Sequence, residues 1–283
     1  VSKKVPSKKN QRKMNRSELA RKNVLLVGAQ GRMGVELSAL LGDHPHFQLG
    51  AAMDSDDIKI FDQQHTAVLP CNQKSLAAVI QGADVVIDFS SPSGTTDLIK
   101  ALLTCREKTV LIGTTGLNST HRNALIRAAK KGGHKILITG NTSLGVATLA
   151  KLAGLAAREL APLGFDIEII ESHHKKKIDA PSGTALLLAD VIKSKLPHYK
   201  ILTSRTGRRV DRTIGIHSVR GGGVVGEHEI RLISDHEELT LSHRAFSRSL
   251  FASGALNLIA VISSEVPAGR ALNLSDWVSL KSR

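Results

Sequence analysis

Sulfur is scarce in this 283-residue chain: Cys71 and Cys105 are its only cysteines, and neither belongs to a CxxC pair or a Cys/His cluster. A disulfide-stapled secreted scaffold and a structural zinc site both need more cysteine at closer spacing, so neither is expected. Aromatic residues make up only 3% of the chain, leaving few rings on which bases could stack, and no recognition-helix pattern is present. Specific nucleic-acid binding is therefore not expected. No apolar run approaches the roughly 20 residues that a membrane span requires. The amino terminus is basic but lacks the apolar stretch and small-residue cleavage site of a secretory leader. The expectation is a soluble, cytoplasmic chain with no membrane partner.

What is abundant is positive charge, +14 overall, and its distribution matters. Residues 1–22 hold nine basic groups against Glu18 alone, have no apolar periodicity, and read as a disordered tail. Met14 offers an alternative start within it. The milder excess over the remainder suits an anionic substrate and a pyrophosphate-bearing cofactor. With 41% hydrophobic residues, the body can bury one large core or two moderate ones.

From residue 23 short apolar runs alternate with amphipathic stretches. Strands are predicted at Asn23–Val27, Phe47–Met53, Asp84–Phe89, Thr109–Ile112 and His134–Ile138, with helices between them. That rhythm implies right-handed crossovers and a parallel sheet covered on both faces. After Asn141 a long helix over Leu144–Leu160 leads to a strand at Phe165–Glu171 and a helix from near Ser182 to Lys195. Three strand-like segments follow, Thr213–Arg220, Gly226–Ser234 and Glu238–His243, which predict a mixed or antiparallel second sheet. A last apolar helix, about Leu250–Ser263, is expected to return to the first unit. The fold class is thus α/β: a Rossmann-type dinucleotide-binding unit (23–141 with 250–283) plus an α+β substrate unit (142–249).

Two local patterns carry chemistry. In the first, a buried strand runs into Gly28-Ala29-Gln30-Gly31-Arg32-Met33-Gly34 and then a helix. Gly28 permits the tight turn, Gly31 admits a pyrophosphate to the backbone, and Gly34 lets helix and strand pack closely. The helix amino terminus offers unpaired N–H groups to the phosphates. The spacing is GxxGxxG rather than GxGxxG, and a ligand-free glycine turn is the bland alternative. Asp54 ends the second strand, where an acidic group would accept hydrogen bonds from ribose hydroxyls; Asp56 and Asp57 nearby keep open a plain exposed-loop reading. Gly113-Thr114-Thr115 and Gly140-Asn141-Thr142 follow later strands, where ligands of open α/β sheets sit. Asp54 opposes a 2′-phosphate and Arg32 could offset it, so the cofactor is NADH and/or NADPH, with a lean to NADH.

The second pattern is Glu171-Ser172-His173-His174-Lys175-Lys176-Lys177-Ile178-Asp179-Ala180-Pro181-Ser182-Gly183-Thr184-Ala185. Imidazole titrates near neutrality, so His173 or His174 can hand over a proton. A lysine supplies fixed positive charge, and the helix start at Ser182-Gly183-Thr184 offers N–H groups and a hydroxyl to an anion. Adjacent histidines on a strand point to opposite faces and no third ligand is in view, so no metal is expected. Lys175 and Lys176 read as solvated.

This run resembles the signature of the dihydrodipicolinate reductases, also called 4-hydroxy-tetrahydrodipicolinate reductases. The Gly28–Gly34 turn, Asp88-Phe89-Ser90, Gly113-Thr114-Thr115-Gly116, Asn141-Thr142-Ser143-Leu144-Gly145 and Val225-Gly226-Glu227-His228 match that family's order, from about Val24 to the carboxyl end. The resemblance implies NAD(P)H-dependent reduction of a small dicarboxylate imine in lysine and diaminopimelate synthesis. It implies His173 as catalytic acid/base and Lys177 as catalytic lysine, with His174, Gly183 and Thr184 on the substrate carboxylates. Cofactor contacts are implied at Gly28–Met33 (with Ala29, Gln30, Gly31 and Arg32), Asp54, Gly113, Thr114, Thr115, Thr139, Gly140, Asn141 and Thr142. A homotetramer built through the second unit's sheet is implied as well. The basic tail departs from the pattern, and Thr142 stands where some relatives carry an aromatic. Two rivals stay open at this point: another two-domain nicotinamide-dependent dehydrogenase, and a non-catalytic dinucleotide sensor whose tail binds nucleic acid.

Overall fold

The structure, a computed structural model, describes residues 21–61, 66–274 and 276. The basic tail lies outside the described residues, apart from Arg21 and Lys22. Its first sheet is built from β1 (Lys22–Val27), β2 (Phe47–Met53), β3 (Asp57–Phe61), β4 (Thr66–Pro70), β5 (Val85–Asp88), β6 (Thr109–Ile112), β7 (Lys135–Ile138) and β13 (Arg270–Asn273). The spatial order is β13-β7-β6-β5-β1-β2-β3-β4. Crossovers are made by α1 (Arg32–Gly42), α2 (Gln73–Gly82), α3 (Pro92–Leu102) and α4 (Ser119–Gly132). The central strands are parallel and apolar on both faces: Val24, Leu26, Ile87 and Leu111 pack on one side, Leu25, Val86, Val110 and Ile112 on the other. Each fully buried branched side chain contributes about 1.5–3 kcal/mol, which fixes register and layering together.

The sheet is larger than the sequence pattern predicts. β3 pairs antiparallel with β2 and with β4, adding a hairpin where Asp56 and Asp57 read as loop, and β13 adds a parallel edge beside β7. The hairpin was hidden because β4 is largely exposed and shows no clean alternation.

The second sheet has the order β12-β11-β8-β10-β9 and is mixed. Its strands are β8 (Asp166–His173), β9 (Lys200–Leu202), β10 (Thr213–Arg220), β11 (Glu227–Ile233) and β12 (Glu238–Arg244). β10 runs parallel to β8 and β9, whereas β11 is antiparallel to β8 and β12. One face, carrying Ile167, Ile169, Ile214, Ile216, Ile230 and Leu232, is buried under α5 (Leu144–Leu160) and α6 (Gly183–Lys195). The last helix, α7 (Ser249–Glu265), leaves this sheet and packs on the first: Ala252, Ala255, Leu256 and Ile259 join Val24, Leu26 and Leu37. Among the described residues no helix is long and apolar enough to cross a membrane.

Candidate active site

Strand order in the first sheet reverses between β1 and β5, so their carboxyl ends diverge into a crevice. A cleft of about 420 Å³ opens there, lined by Gly28, Gly31, Asp54, Phe89, Ser90, Gly94 and Asp97 among others. Two glycines are required by space. Gly28 has φ +81°, and a Cβ there would lie 2.6 Å from the Phe89 carbonyl oxygen. A Cβ on Gly34 would collide with the backbone oxygens of Gly28 and Ala29, so α1 could not start where it does. The Gly28 and Ala29 N–H groups donate to the Met53 carbonyl, tying the turn to β2. Asp54 Oδ2 accepts from the Gln30 N–H at 2.6 Å, so the acidic group reaches the glycine turn itself.

The cradle fits a dinucleotide: a turn that only glycine can make, the amino-terminal end of α1, and an acidic group at the end of β2. Gln30 and Arg32 are exposed, while Met33 packs partly into the core. Gly113, Thr114 and Thr115 lie beyond β6, one strand further along. The Thr114 hydroxyl oxygen accepts from Ser90 N–H at 3.1 Å, and Gly113 leaves room for the Phe89 ring. Beyond β7, Gly140 stands against Thr115. The side chains of Thr139 and Thr142 are turned inward: Thr139 Oγ1 donates to the Asn141 carbonyl and Thr142 Oγ1 to the Phe251 carbonyl, both at 2.6 Å. The hydroxyl protons of these two threonines are therefore committed within the chain in this arrangement.

Asn141 links the two halves. Its Oδ1 accepts from the Ser143 N–H at 2.8 Å and its Nδ2 donates to Thr184 Oγ1 at 2.8 Å. The end of the first sheet is thereby joined to the first turn of α6, where Ser182 is the N-cap and donors for an anion are expected.

On the second sheet the buried face changes from apolar to polar towards the carboxyl end of β8. Ile167, Ile169, Glu171 and His173 share that face because strand side chains alternate. Register sets Ser218 of β10 and His228 of β11 beside Glu171, and Arg220 beside His173. Glu171 is fully buried and richly served. Arg220 donates to both its oxygens, at 2.7 and 2.9 Å, and Ser182 N–H donates at 3.1 Å. His173 Nδ1 lies 2.5 Å from Oε2. Burial alone would raise the Glu171 carboxyl, but hydrogen bonds from Arg220, Ser218, His173 and Ser182 outweigh it and hold the pKa at about 2. An ionised Glu171 only accepts, so His173 Nδ1 carries the proton and Nε2 is the nitrogen left for chemistry. Gly226 keeps that nitrogen uncrowded: a Cβ there would sit 3.1 Å from it.

Burial lowers His173, Lys177 and Arg220 lower it further, and only Glu171 pulls the other way; the net direction is down. His228 packs edge-on against His173 with ring centroids 5.2 Å apart and hydrogen-bonds Ser182 Oγ at 3.1 Å. Burial, with His173 beside it, pushes His228 down to about 3, so it stays neutral.

Lys177 Nζ meets both oxygens of Asp179, at 2.7 and 2.9 Å. Burial would raise Asp179, but Lys177 and the Gly183 N–H outweigh it and hold this carboxyl below its usual range. A carboxylate of the chain thus spans the lysine and the helix start, the two donors expected for a substrate carboxylate. His174 points away from His173, with Nε2 3.3 Å from the Arg248 guanidinium at the start of α7. Lys175 and Lys176 are exposed.

Sequence reasoning placed His173, Lys177 and the Ser182-Gly183-Thr184 helix start in one stretch but gave no part to Arg220 or Arg248, and none to Glu171 beyond its place in the motif. Glu171 was legible from its i−2 spacing to His173. Arg220 and Arg248, 47 and 75 residues downstream of His173, had no local signal.

A dinucleotide cleft on a parallel sheet, joined to a buried acid–base pair and a cationic loop on a second sheet, defines the class: a two-domain NAD(P)H-dependent oxidoreductase. Comparison with known proteins narrows it. Residues 22–142 match the family model "Dihydrodipicolinate reductase, N-terminus" and residues 145–277 the one for its C-terminus, and the chain belongs to the dihydrodipicolinate reductase family. A 4-hydroxy-tetrahydrodipicolinate reductase of Chromobacterium violaceum is 40% identical over 258 residues, covering 86% of this chain and 94% of that protein. One from Psychrobacter arcticus is 35% identical, covering 90% and 96%. Among solved structures, the dipicolinate-bound dihydrodipicolinate reductase of Paenisporosarcina sp. TG-14 superposes with a TM-score of 0.69 at 26% identity, covering 89% of this chain and 97% of that one.

Proposed function

We propose that this chain reduces 4-hydroxy-tetrahydrodipicolinate to tetrahydrodipicolinate, with NADH as its preferred hydride donor, in lysine and diaminopimelate synthesis. The observation that carries the reading is the Glu171–His173 pair, buried beside Lys177 and the α6 amino terminus, which Asn141 and Thr184 join to the carboxyl end of the first sheet. A non-catalytic sensor has no use for such a pair, and family membership argues against an unrelated dehydrogenase.

In this reading Gly28, Ala29, Gln30, Gly31, Arg32 and Met33 hold the pyrophosphate, Asp54 the adenosine ribose, and the loops 113–115 and 139–142 the nicotinamide half. The bound nicotinamide supplies the hydride. Lys177, His174, Gly183 and Thr184 take the two substrate carboxylates, Lys177 exchanging Asp179 for the ligand. His173 donates a proton from Nε2 to the charge that hydride addition leaves in the ring, and Lys177 steadies that charge meanwhile. A dianionic ligand beside His173 favours its imidazolium, offsetting the burial that keeps it neutral in the free chain. The preference for NADH is supported by the cleft, whose lining among the described residues has Asp54 and Asp97 and no lysine or arginine; a 2′-phosphate would meet like charge there.

The division into a nucleotide unit (23–141 with 250–283) and a substrate unit (142–249), a cytoplasmic location and a homotetramer built on the second sheet belong to the same proposal. The tetramer is supported by the sheet face turned away from α5 and α6, where Val219 is half exposed.

The test is oxidation of NADH and of NADPH with freshly generated 4-hydroxy-tetrahydrodipicolinate, followed at the nicotinamide absorbance band. Substrate-dependent oxidation, faster with NADH, is the expected result. His173→Gln should cut turnover by about two to four orders of magnitude, and near-normal turnover would remove His173 from its role.

A further inference from the structure

Arg220 lies on a different strand from the motif that carries the chemistry, yet its guanidinium is committed to that motif. Nη1 and Nη2 fork onto both oxygens of Glu171, and Nη2 also donates to the Asp179 carbonyl at 2.6 Å. One rigid group therefore touches the partner of His173 and the backbone of the loop that carries Lys177. A planar fork of fixed geometry can set a distance between two elements, which a lysine ammonium on a flexible stem cannot.

We propose that Arg220 is a positioning residue for the reduction: acting through Glu171, it holds His173 with Nε2 towards the cleft, and through the Asp179 carbonyl it fixes where Lys177 stands. The inference rests on the reading of His173 as the proton donor. Among the described residues, four charged or titratable groups face His173: Glu171 from its own strand, Arg220 from β10, His228 from β11 and Lys177 from the loop. Of these only Glu171 is an anion, and it accepts the hydrogen bond from Nδ1–H. If Glu171 turned, either imidazole tautomer could form, and the reacting nitrogen would no longer be selected.

Simple charge balance predicts something different. If Arg220 only neutralised a buried carboxylate, lysine would replace it. Under the positioning role Arg220→Lys lowers kcat about tenfold to a hundredfold, the cost of misplacing reacting groups by an ångström or so, while KM for the dicarboxylate changes by less than about threefold. Glu171→Gln keeps the shape and removes the anion. It should move the basic limb of the kcat profile to lower pH, because the one group that raises His173 has gone. It should also convert His173 from a single Nδ1-protonated tautomer to a mixture, read from ¹⁵N–¹H couplings of histidine-labelled full-length protein.

His173→Gln is assayed alongside. If it turns over normally, the donor assignment fails and this inference goes with it. If it is inactive while Arg220→Lys keeps wild-type kcat and a single tautomer, the positioning role alone is overturned. Should Arg220→Lys fail to fold, Glu171→Gln decides by its own two readouts: an unmoved pH limb and a single tautomer refute the proposal.

Discussion

Replacing Glu171 by glutamine is expected to flatten the acid limb of stability as well as alter catalysis. In the folded chain its pKa is about 2, against 4.5 when free. At 1.36 kcal/mol per unit, that depression corresponds to about 3 kcal/mol of stability from this one carboxylate. The sign follows from proton binding. The unfolded chain takes up the proton near pH 4.5 and the folded one only near 2, so the contribution is complete above the higher value. It is lost as pH falls from about 5 towards 2. Glutamine also strands a buried Arg220, which costs about 3–5 kcal/mol at every pH, so absolute stability is the wrong readout. The slope is the right one. Urea unfolding followed by circular dichroism at pH 3, 4, 5 and 6 should show the wild type losing about 2 kcal/mol more than Glu171→Gln across that range. Glu168 and Asp179, also held below their usual values, remain in both proteins and cancel, and making the comparison on a His173→Gln background removes the histidine that Glu171→Gln would otherwise shift. Parallel curves would refute the buried, doubly forked carboxylate described here.

Lys177→Met should abolish turnover with 4-hydroxy-tetrahydrodipicolinate, whereas the exposed Lys175→Met should leave steady-state rates unchanged; equal loss in both would mean a diffuse basic loop rather than one placed cation. Gly34→Ala drives a methyl into the Gly28 and Ala29 carbonyls. It should destabilise the chain by about 1–3 kcal/mol in thermal or urea melts and weaken dinucleotide binding by titration, and a wild-type melt with wild-type affinity would contradict the close packing of α1 on the glycine turn. Asp54→Ala removes the acceptor for Gln30 N–H and an anion from the cleft. The ratio of kcat/KM for NADH over NADPH should fall by about tenfold or more, and an unchanged ratio would assign the preference elsewhere. Because burial lowers His173 in the free chain, binding of a dicarboxylate inhibitor above pH 7 should take up a proton. Calorimetry in buffers of different ionisation enthalpy would detect it, and no uptake in the wild type would argue against an imidazolium donor.

Much of this protein was legible in sequence because the deciding interactions are local. Thr109–Ile112 and Phe47–Met53 are read at their observed bounds from apolar runs, and Leu144–Leu160 from its helical period. The glycine spacing at 28, 31 and 34 prescribes a turn that only unsubstituted backbone can make, and the packing distances show why. The stretch from His173 to Thr184 announces an acid, a cation and a helix start within twelve residues. The hairpin of β3 and β4 went unread because an exposed edge needs no hydrophobic alternation; its pairing with β2 is what makes it sheet. The tertiary structure alone decided which histidine nitrogen is free and which carboxylate holds the other. Arg220 and His228 reach Glu171 by strand register, and Asn141 reaches Thr184 by the approach of two sheets. Sequence spacing records side chains that meet along one element, where the geometry is fixed by 3.6- or 2-residue periods. Side chains that meet across elements depend on the order in which strands assemble, and that order is set by burial over the whole chain.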